Sequence, residues 1–256
     1  IKEDHHQVSF GELVERKNRR VLLDYVKEEE RPILSNPTVA LKWIQTENTN
    51  SNSKILFFIH GLIGSRPLVL SRNSKVFRAD YSDNKDITFV HVLWNNGKIM
   101  YKKNLVSLRS STPILAELLN EINQVFKHTS IMCQSMGNRF FFETILKHSV
   151  EINFQEILLV APDVDVSKFE LHHDKFLKFS DKIFVFYHLN DRVLKHSSRI
   201  NKIDRLGRAN LKLSTNKIKF IECTHLEIKK FPDSILKHMY FLSSQSVKQK
   251  INELLK

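Results

Sequence analysis

The chain has 256 residues, with 41% hydrophobic and 27% charged residues and 40 Lys plus Arg against 28 Asp plus Glu, a formal charge of +12. That balance excludes wholesale disorder, and apolar runs such as ILFFI (55–59) and ILLVAP (157–162) are strand-length, well short of the ~20 residues a bilayer-spanning helix needs. The positive excess would draw phosphates, anionic lipid heads or acidic partners, but it is scattered in pieces such as ERKNRR (15–20) with no nucleic-acid motif, so a solvated basic surface is expected and no specific nucleic-acid binding.

From the N-terminus, residues 8–30 (VSFGELVERKNRRVLLDYVKEEE) mix apolar and charged positions in a way that predicts an amphipathic helix or helix pair within an N-terminal helical extension, 1–38. The chain begins at Ile1 rather than Met, and trimming of a preceding segment is expected. VALKWIQ (39–45) resembles a strand, and the polar TENTNSNSK (46–54) leads into the next. Strand-like ILFFIH (55–60), ITFVHVLW (87–94), TSIMCQ (129–134), EILLVAP (156–162), KIFVFYH (182–188) and IKFIEC (218–223) then alternate with stretches able to hold helices, at roughly 111–127, 138–148, 166–178, 192–203 and 243–255. Short, continuously apolar strands alternating with helices are what a parallel sheet covered on both faces requires. One doubly wound α/β domain, 1–256, is expected, with ligands bound beyond the carboxyl ends of the strands. Residues 65–86 and 95–111 fall where substrate-covering loops insert, and Trp94, Met100 and Tyr101 there are candidates for substrate contact or for packing.

Glycine is scarce, at six residues, and three of these fall in HGLIG (60–64) and SMG (135–137). Ser135 stands where TSIMCQ turns directly into a helix, a geometry that projects a hydroxyl outward with the helix N-terminus behind it. The pattern Cys-Gln-Ser-Met-Gly departs from G-x-S-x-G at Cys133. If Ser135 is a nucleophile, the amides of Leu62 and Met136 are the expected oxyanion donors. The acid is then Asp191, in LNDRVL, or one of Asp163 and Asp165, in APDVDV. The base is His225, directly after the last strand, or His238, shortly before a terminal helix capped by Ser243 or Ser244. Residue chemistry alone leaves both histidines open.

The pairs His5–His6 and His172–His173 have no carboxylate or cysteine at ligand spacing, so no metal site is expected, and no cofactor. Cys133 and Cys223 lie in apolar strands and read as buried thiols of a reducing, cytoplasmic compartment. Of Phe140, Phe141 and Phe142, two are expected in the core and the cluster could line an acyl pocket.

Taken in order, HGLIGS, SMGNR, LVAPDVD, LNDRVL, RLGR and HMYF resemble an uncharacterised branch of bacterial α/β-hydrolases, whose members carry an HGY-type loop, an A-H-S-M-G-N-R elbow, A-A-P-D-V-D and S-N-D-R strand ends, an R-L-G turn and a terminal G-H-S-Y-F. The resemblance runs from about residue 55 to the C-terminus. It implies an α/β-hydrolase fold and assigns Ser135, Asp191 and His238 to the nucleophile, acid and base positions. Gln134, Lys237 and Met239 depart from the family's His, Gly and Ser. The implied activity is a serine hydrolase acting on a small-molecule or lipid acyl ester, thioester or related bond. The rival expectation is an inactive hydrolase-like binding module whose basic surface meets anionic partners or membranes.

Overall fold

The computed structural model describes residues 21–26, 33–34, 54–62, 87–94, 100–213, 215–228 and 232–255. Its described strands are β1 (Val21–Val26), β2 (Ile33–Leu34), β3 (Lys54–Ile59), β4 (Ile87–Trp94), β5 (Thr129–Gln134), β6 (Ile157–Val160), β7 (Ile183–Tyr187) and β8 (Ile218–Glu222). They form one sheet in the order β2-β1-β4-β3-β5-β6-β7-β8. Every pair from β4 to β8 is parallel, whereas β1 runs antiparallel to both β4 and β2. The described helices are α1 (Tyr101–Val125), α2 (Met136–Lys147), α3 (Val166–Phe176), α4 (Arg192–Asn201), α5 (Asp233–Leu236), α6 (Tyr240–Ser243) and α7 (Gln245–Leu254). A mostly parallel sheet with helices on both faces is the doubly wound architecture expected from the alternation.

Strand periodicity divides the core in two. Ile55, Phe57 and Ile59 of β3, with Ile131 and Cys133 of β5, face α1 and α2 and pack with Leu115, Leu119, Phe140 and Phe141. Leu56 and Phe58, with Met132 and Leu158, face the other way, against Tyr240 and Phe241 of α6 and Val247 and Ile251 of α7. Successive side chains point to opposite faces, so a strand buried on both sides must be apolar at every position. All three phenylalanines after the elbow are buried, one more than expected: Phe140 lies against Trp94, and Phe141 and Phe142 against Phe176.

Two expectations are corrected. Within the expected helix over 8–30 and helical extension over 1–38, Val21–Val26 and Ile33–Leu34 are strands instead; the remainder of both stretches lies outside the described residues. VLLDYV is rich in β-formers, and pairing with β4 satisfies the backbone donors and acceptors that edge would otherwise leave open. In place of a loop over 95–111 followed by a helix from 111, α1 starts at Tyr101 and runs for 25 residues through Pro113. Proline lacks the N–H that would bond the carbonyl of Arg109. The hydroxyl of Thr112 donates to that carbonyl instead, at 3.0 Å, and Ser111 donates to Ser107 O, at 2.8 Å. The expected strand at 39–45 and the expected loop at 65–86 lie outside the described residues.

Candidate active site

β5 ends at Gln134, and Ser135 follows with φ 52° and ψ −121° before α2 begins. That left-handed, strained turn costs a non-glycine residue about 1–3 kcal/mol and persists only where the surroundings fix it. Here they do. The Ser135 carbonyl accepts from the backbone N–H of Asn138 and of Asp163 and from Asn138 Nδ2, while the Ser135 N–H donates to Val160 O. Gly137 is dictated by packing, because a Cβ there would sit 2.7 Å from His60 O and closer still to Ile59 O. The elbow is therefore pressed against the end of β3, and Cys133, at the position where the motif has glycine, simply points into the core.

Beyond β7, Asp191 is fully buried and bonds in two directions. Its Oδ1 caps α4 by accepting from Leu194 N at 2.8 Å, and its Oδ2 accepts from His238 Nδ1 at 2.7 Å. The helix cap thus fixes the carboxylate that fixes the imidazole. The His238 loop is itself tied down by Asp233, whose Oδ1 accepts from the N–H groups of His238 (2.7 Å) and Met239 (2.6 Å) and whose Oδ2 accepts from the Ser243 hydroxyl. Buried Tyr240 anchors the far side, donating to Phe186 O at 2.8 Å and accepting from Ala161 N at 3.0 Å.

Burial pulls the His238 imidazole toward its neutral form, but the charge and hydrogen bond of Asp191 outweigh this and hold its pKa above the ordinary 6.5. On the other ring nitrogen stands Gln134. Its Oε1 accepts from Gly61 N at 3.0 Å, which orients the amide so that Nε2 donates to His238 Nε2 at 3.1 Å. A donor facing Nε2 requires the proton on Nδ1, the tautomer in which a neutral imidazole can later accept a proton. No hydrogen bond joins Ser135 Oγ to a described residue. Of the two amides expected to bind an oxyanion, Leu62 follows directly after Gly61, whose own N–H is taken by Gln134, and Met136 opens α2; neither donates to a described acceptor.

The remaining candidates lie elsewhere. His225 is 87% exposed in its side chain and faces Glu222 at 3.7 Å, while the imidazole on Asp191 is that of His238. Asp163 and Asp165 are absorbed by fully buried Arg205, with Asp163 also accepting from Ser197 Oγ (2.5 Å) and Tyr101 OH (2.8 Å). Burial raises the Asp163 pKa against the pull of Arg205, Ser197 and Tyr101. Tyr101 is therefore committed to this network, Trp94 is buried with its indole N–H on His60 O, and Met100 is exposed. Residue reading missed Asp233 and Tyr240, and noted Gln134 only as a departure. A Pro-Asp-Ser turn five residues before His238 was the available signal for Asp233. Among the described residues, no cluster of His, Cys, Asp and Glu could hold a metal ion, and no helix is long and apolar enough to cross a membrane.

A parallel sheet entered by an antiparallel edge, a strained serine elbow after its central strand, Asp191 beyond β7 and His238 in the loop after α5 fit the α/β-hydrolase class. The profile of the family described as "Alpha/beta hydrolase of unknown function (DUF900)" matches residues 36–255. The chain belongs to that family. No curated protein sequence matches it. Among solved structures it is similar to MenH from S. aureus, at 10% identity and TM-score 0.42, covering 79% of this chain and 93% of that one. It is similar also to the Pyrococcus furiosus esterase Pf2001 (10%, 0.40, 80% and 82%) and to carboxyl esterase 2 from Tuber melanosporum (12%, 0.39, 81% and 80%).

Proposed function

We propose that the chain is a serine hydrolase that cleaves an ester, thioester or related acyl bond. The observation that carries this reading is the 2.7 Å bond from His238 Nδ1 to buried Asp191, beyond the carboxyl ends of the same parallel strands as a serine held at φ 52°. In the proposed cycle, the imidazole turns its Nε2 from Gln134 to Ser135 Oγ and takes the hydroxyl proton as Oγ attacks the acyl carbon. Asp191 holds the Nδ1–H tautomer and stabilises the imidazolium that results. The Leu62 and Met136 amides receive the developing oxyanion, each donor contributing about 3 kcal/mol. His238 then protonates the leaving group, and water attacks the acyl-enzyme with His238 again as base.

A second reading has an observation behind it. With Gln134 on His238 Nε2, the imidazole is not hydrogen-bonded to Ser135, as would suit a scaffold that binds without turning over. A fluorophosphonate probe separates the two. The hydrolase reading expects covalent labelling of the native chain, none in Ser135→Ala, and at least a thousandfold slower labelling in His238→Ala. Native protein that stays unlabelled across a panel of acyl p-nitrophenyl esters and the probe leaves only the binding module.

A further inference from the structure

A cavity of about 660 Å³ is lined by Asn190, Arg192, Lys195, Arg208, Ser234, Ile235 and Lys237, and so includes chain neighbours of Asp191 and His238 but neither residue itself. Three of these residues are immediate chain neighbours of the pair: Asn190 and Arg192 flank Asp191, and Lys237 precedes His238. Four of its side chains are cationic, and no described Asp or Glu side chain lines it. Arg192, Lys195 and Lys237 form no ion pair with a described residue. The guanidinium of Arg208 is pinned by two N–H bonds to Leu189 O, at 3.1 and 2.9 Å. The nearest acids are engaged inward, Asp191 by His238 and Leu194 and Asp233 by the backbone of the histidine loop.

Another basic cavity on this protein shows what ordinary neutralisation looks like. At about 360 Å³ it is lined by Arg109, Arg139, Lys147 and Lys168, but Glu143 lies there paired to the first three and Asp165 to the last. The cavity beside His238 has no such counter-charges. Its cations repel one another, and one of them is held at a backbone cost: Lys237 sits at φ 55°, a conformation glycine adopts freely and a side chain does not.

We propose that this cavity is a phosphate-binding site that holds a phosphorylated part of the substrate beside the His238–Asp191 pair. Four cations around one cavity suit a multiply charged anion better than a single carboxylate, with the arginines offering planar forks and the lysines point charges. The anion site stands on the cavity alone; its role in presenting substrate rests on the hydrolase reading above. Two sources share this chemistry, the phosphates of a soluble acyl carrier and those of a lipid headgroup.

Titration calorimetry with inorganic pyrophosphate on the full chain tests the site. Native protein and Ser135→Ala are expected to bind alike, and Lys195→Glu at least tenfold more weakly. Lys237→Gly is expected to weaken binding severalfold while raising the unfolding temperature by about 2–4 °C, because it relieves the left-handed strain; a variant that merely misfolded could not do both. Absence of binding by native protein, or equal affinity in Lys195→Glu, overturns the site. Turnover of an acyl-coenzyme A and of phosphatidic acid in phosphatidylcholine vesicles, each with and without pyrophosphate, then assigns the source: the phosphorylated substrate is expected to be preferred over a neutral acyl ester, competed by pyrophosphate, and to lose that preference about tenfold in Lys195→Glu. If neutral esters are hydrolysed and neither phosphorylated substrate is preferred, the substrate role falls and the hydrolase reading stands. If pyrophosphate binds but no probe labels Ser135, the hydrolase reading falls and the anion site stands.

Discussion

At the scale of single residues, the most consequential departure from the resembled elbow is Gln134. Its amide bridges the loop after β3 and the imidazole, taking the Gly61 N–H on one side and giving an N–H to His238 Nε2 on the other. Protonation of His238 puts a second hydrogen on Nε2, facing that donor, so Gln134 opposes the charged form while Asp191 favours it. Replacing Gln134 by Leu removes the opposing contact and keeps the bulk. The acid limb of kcat/KM, where activity appears as His238 loses its proton, should move to higher pH by up to about one unit, the worth of one hydrogen bond. Asp191→Asn removes the group that raises the imidazole, so its limb should move to lower pH while kcat falls by about four orders of magnitude. Rate profiles from pH 5 to 9 on the three proteins check this, and limbs that stay together in all of them would separate Gln134 from the base. The sequence made Gln134 visible only as an odd letter in a motif, because its role depends on two partners, 73 and 104 residues away, that no local pattern links to it.

Among elements, legibility followed periodicity and hydrophobicity. The parallel strands β3 to β7 are readable because burial on both faces demands continuous apolar runs, and α2 because it follows the serine directly. The first turns of α1 are not legible in the sequence; in the structure the helix passes through Pro113 because Thr112 supplies the donor that the proline lacks. β1 is not legible as a strand because a six-residue segment beside charged runs carries too little pattern to show that its partners in β4 lie 63 to 73 residues on. At the site, Ser135 is legible from its place where a strand turns into a helix, whereas Asp191 and His238 follow from the resemblance to the family; residue chemistry alone leaves two histidines and three aspartates, a choice that depends on which loop folds back over β7. The elbow offers the element-scale prediction. A Cβ at Gly137 meets backbone oxygens of Ile59 and His60 rather than a side chain that could swing away. Gly137→Ala should therefore push α2 off β3 and cost about 1–3 kcal/mol despite alanine's better helix propensity. Urea unfolding gives the value, and an unchanged or higher midpoint would mean that the elbow is not pressed against β3.

For the whole molecule, three buried histidines set opposing pH dependences. His238, with its pKa raised in the fold, contributes stability that is complete below the unfolded value of 6.5 and is lost as pH rises through the folded value. His60 works the other way: burial, only partly offset by its bond to Gly61 O, lowers its pKa to about 4. His188 is lowered as well, by burial and then by nearby Lys237 against the pull of Asp191 and Asp233. Between pH 6.5 and 4 the unfolded chain binds the His60 proton and the folded chain does not, so stability falls as pH drops across that window and levels off below it. The loss from His60 alone should reach about 2 kcal/mol by pH 5. His238 adds no slope in this range because its contribution there is already full. His60→Phe keeps a ring to stack on Trp94, which now lies parallel to His60 at 5.8 Å, and removes the titration. Whatever the substitution costs at pH 7, the variant should lose about 2 kcal/mol less than native protein between pH 7 and pH 5. Comparing the two proteins at both pH values cancels every other titrating group, including the carboxylates of the Arg205 network. Equal losses would mean that His60 is protonated in the fold, with the strand end that holds Gly61 open to water.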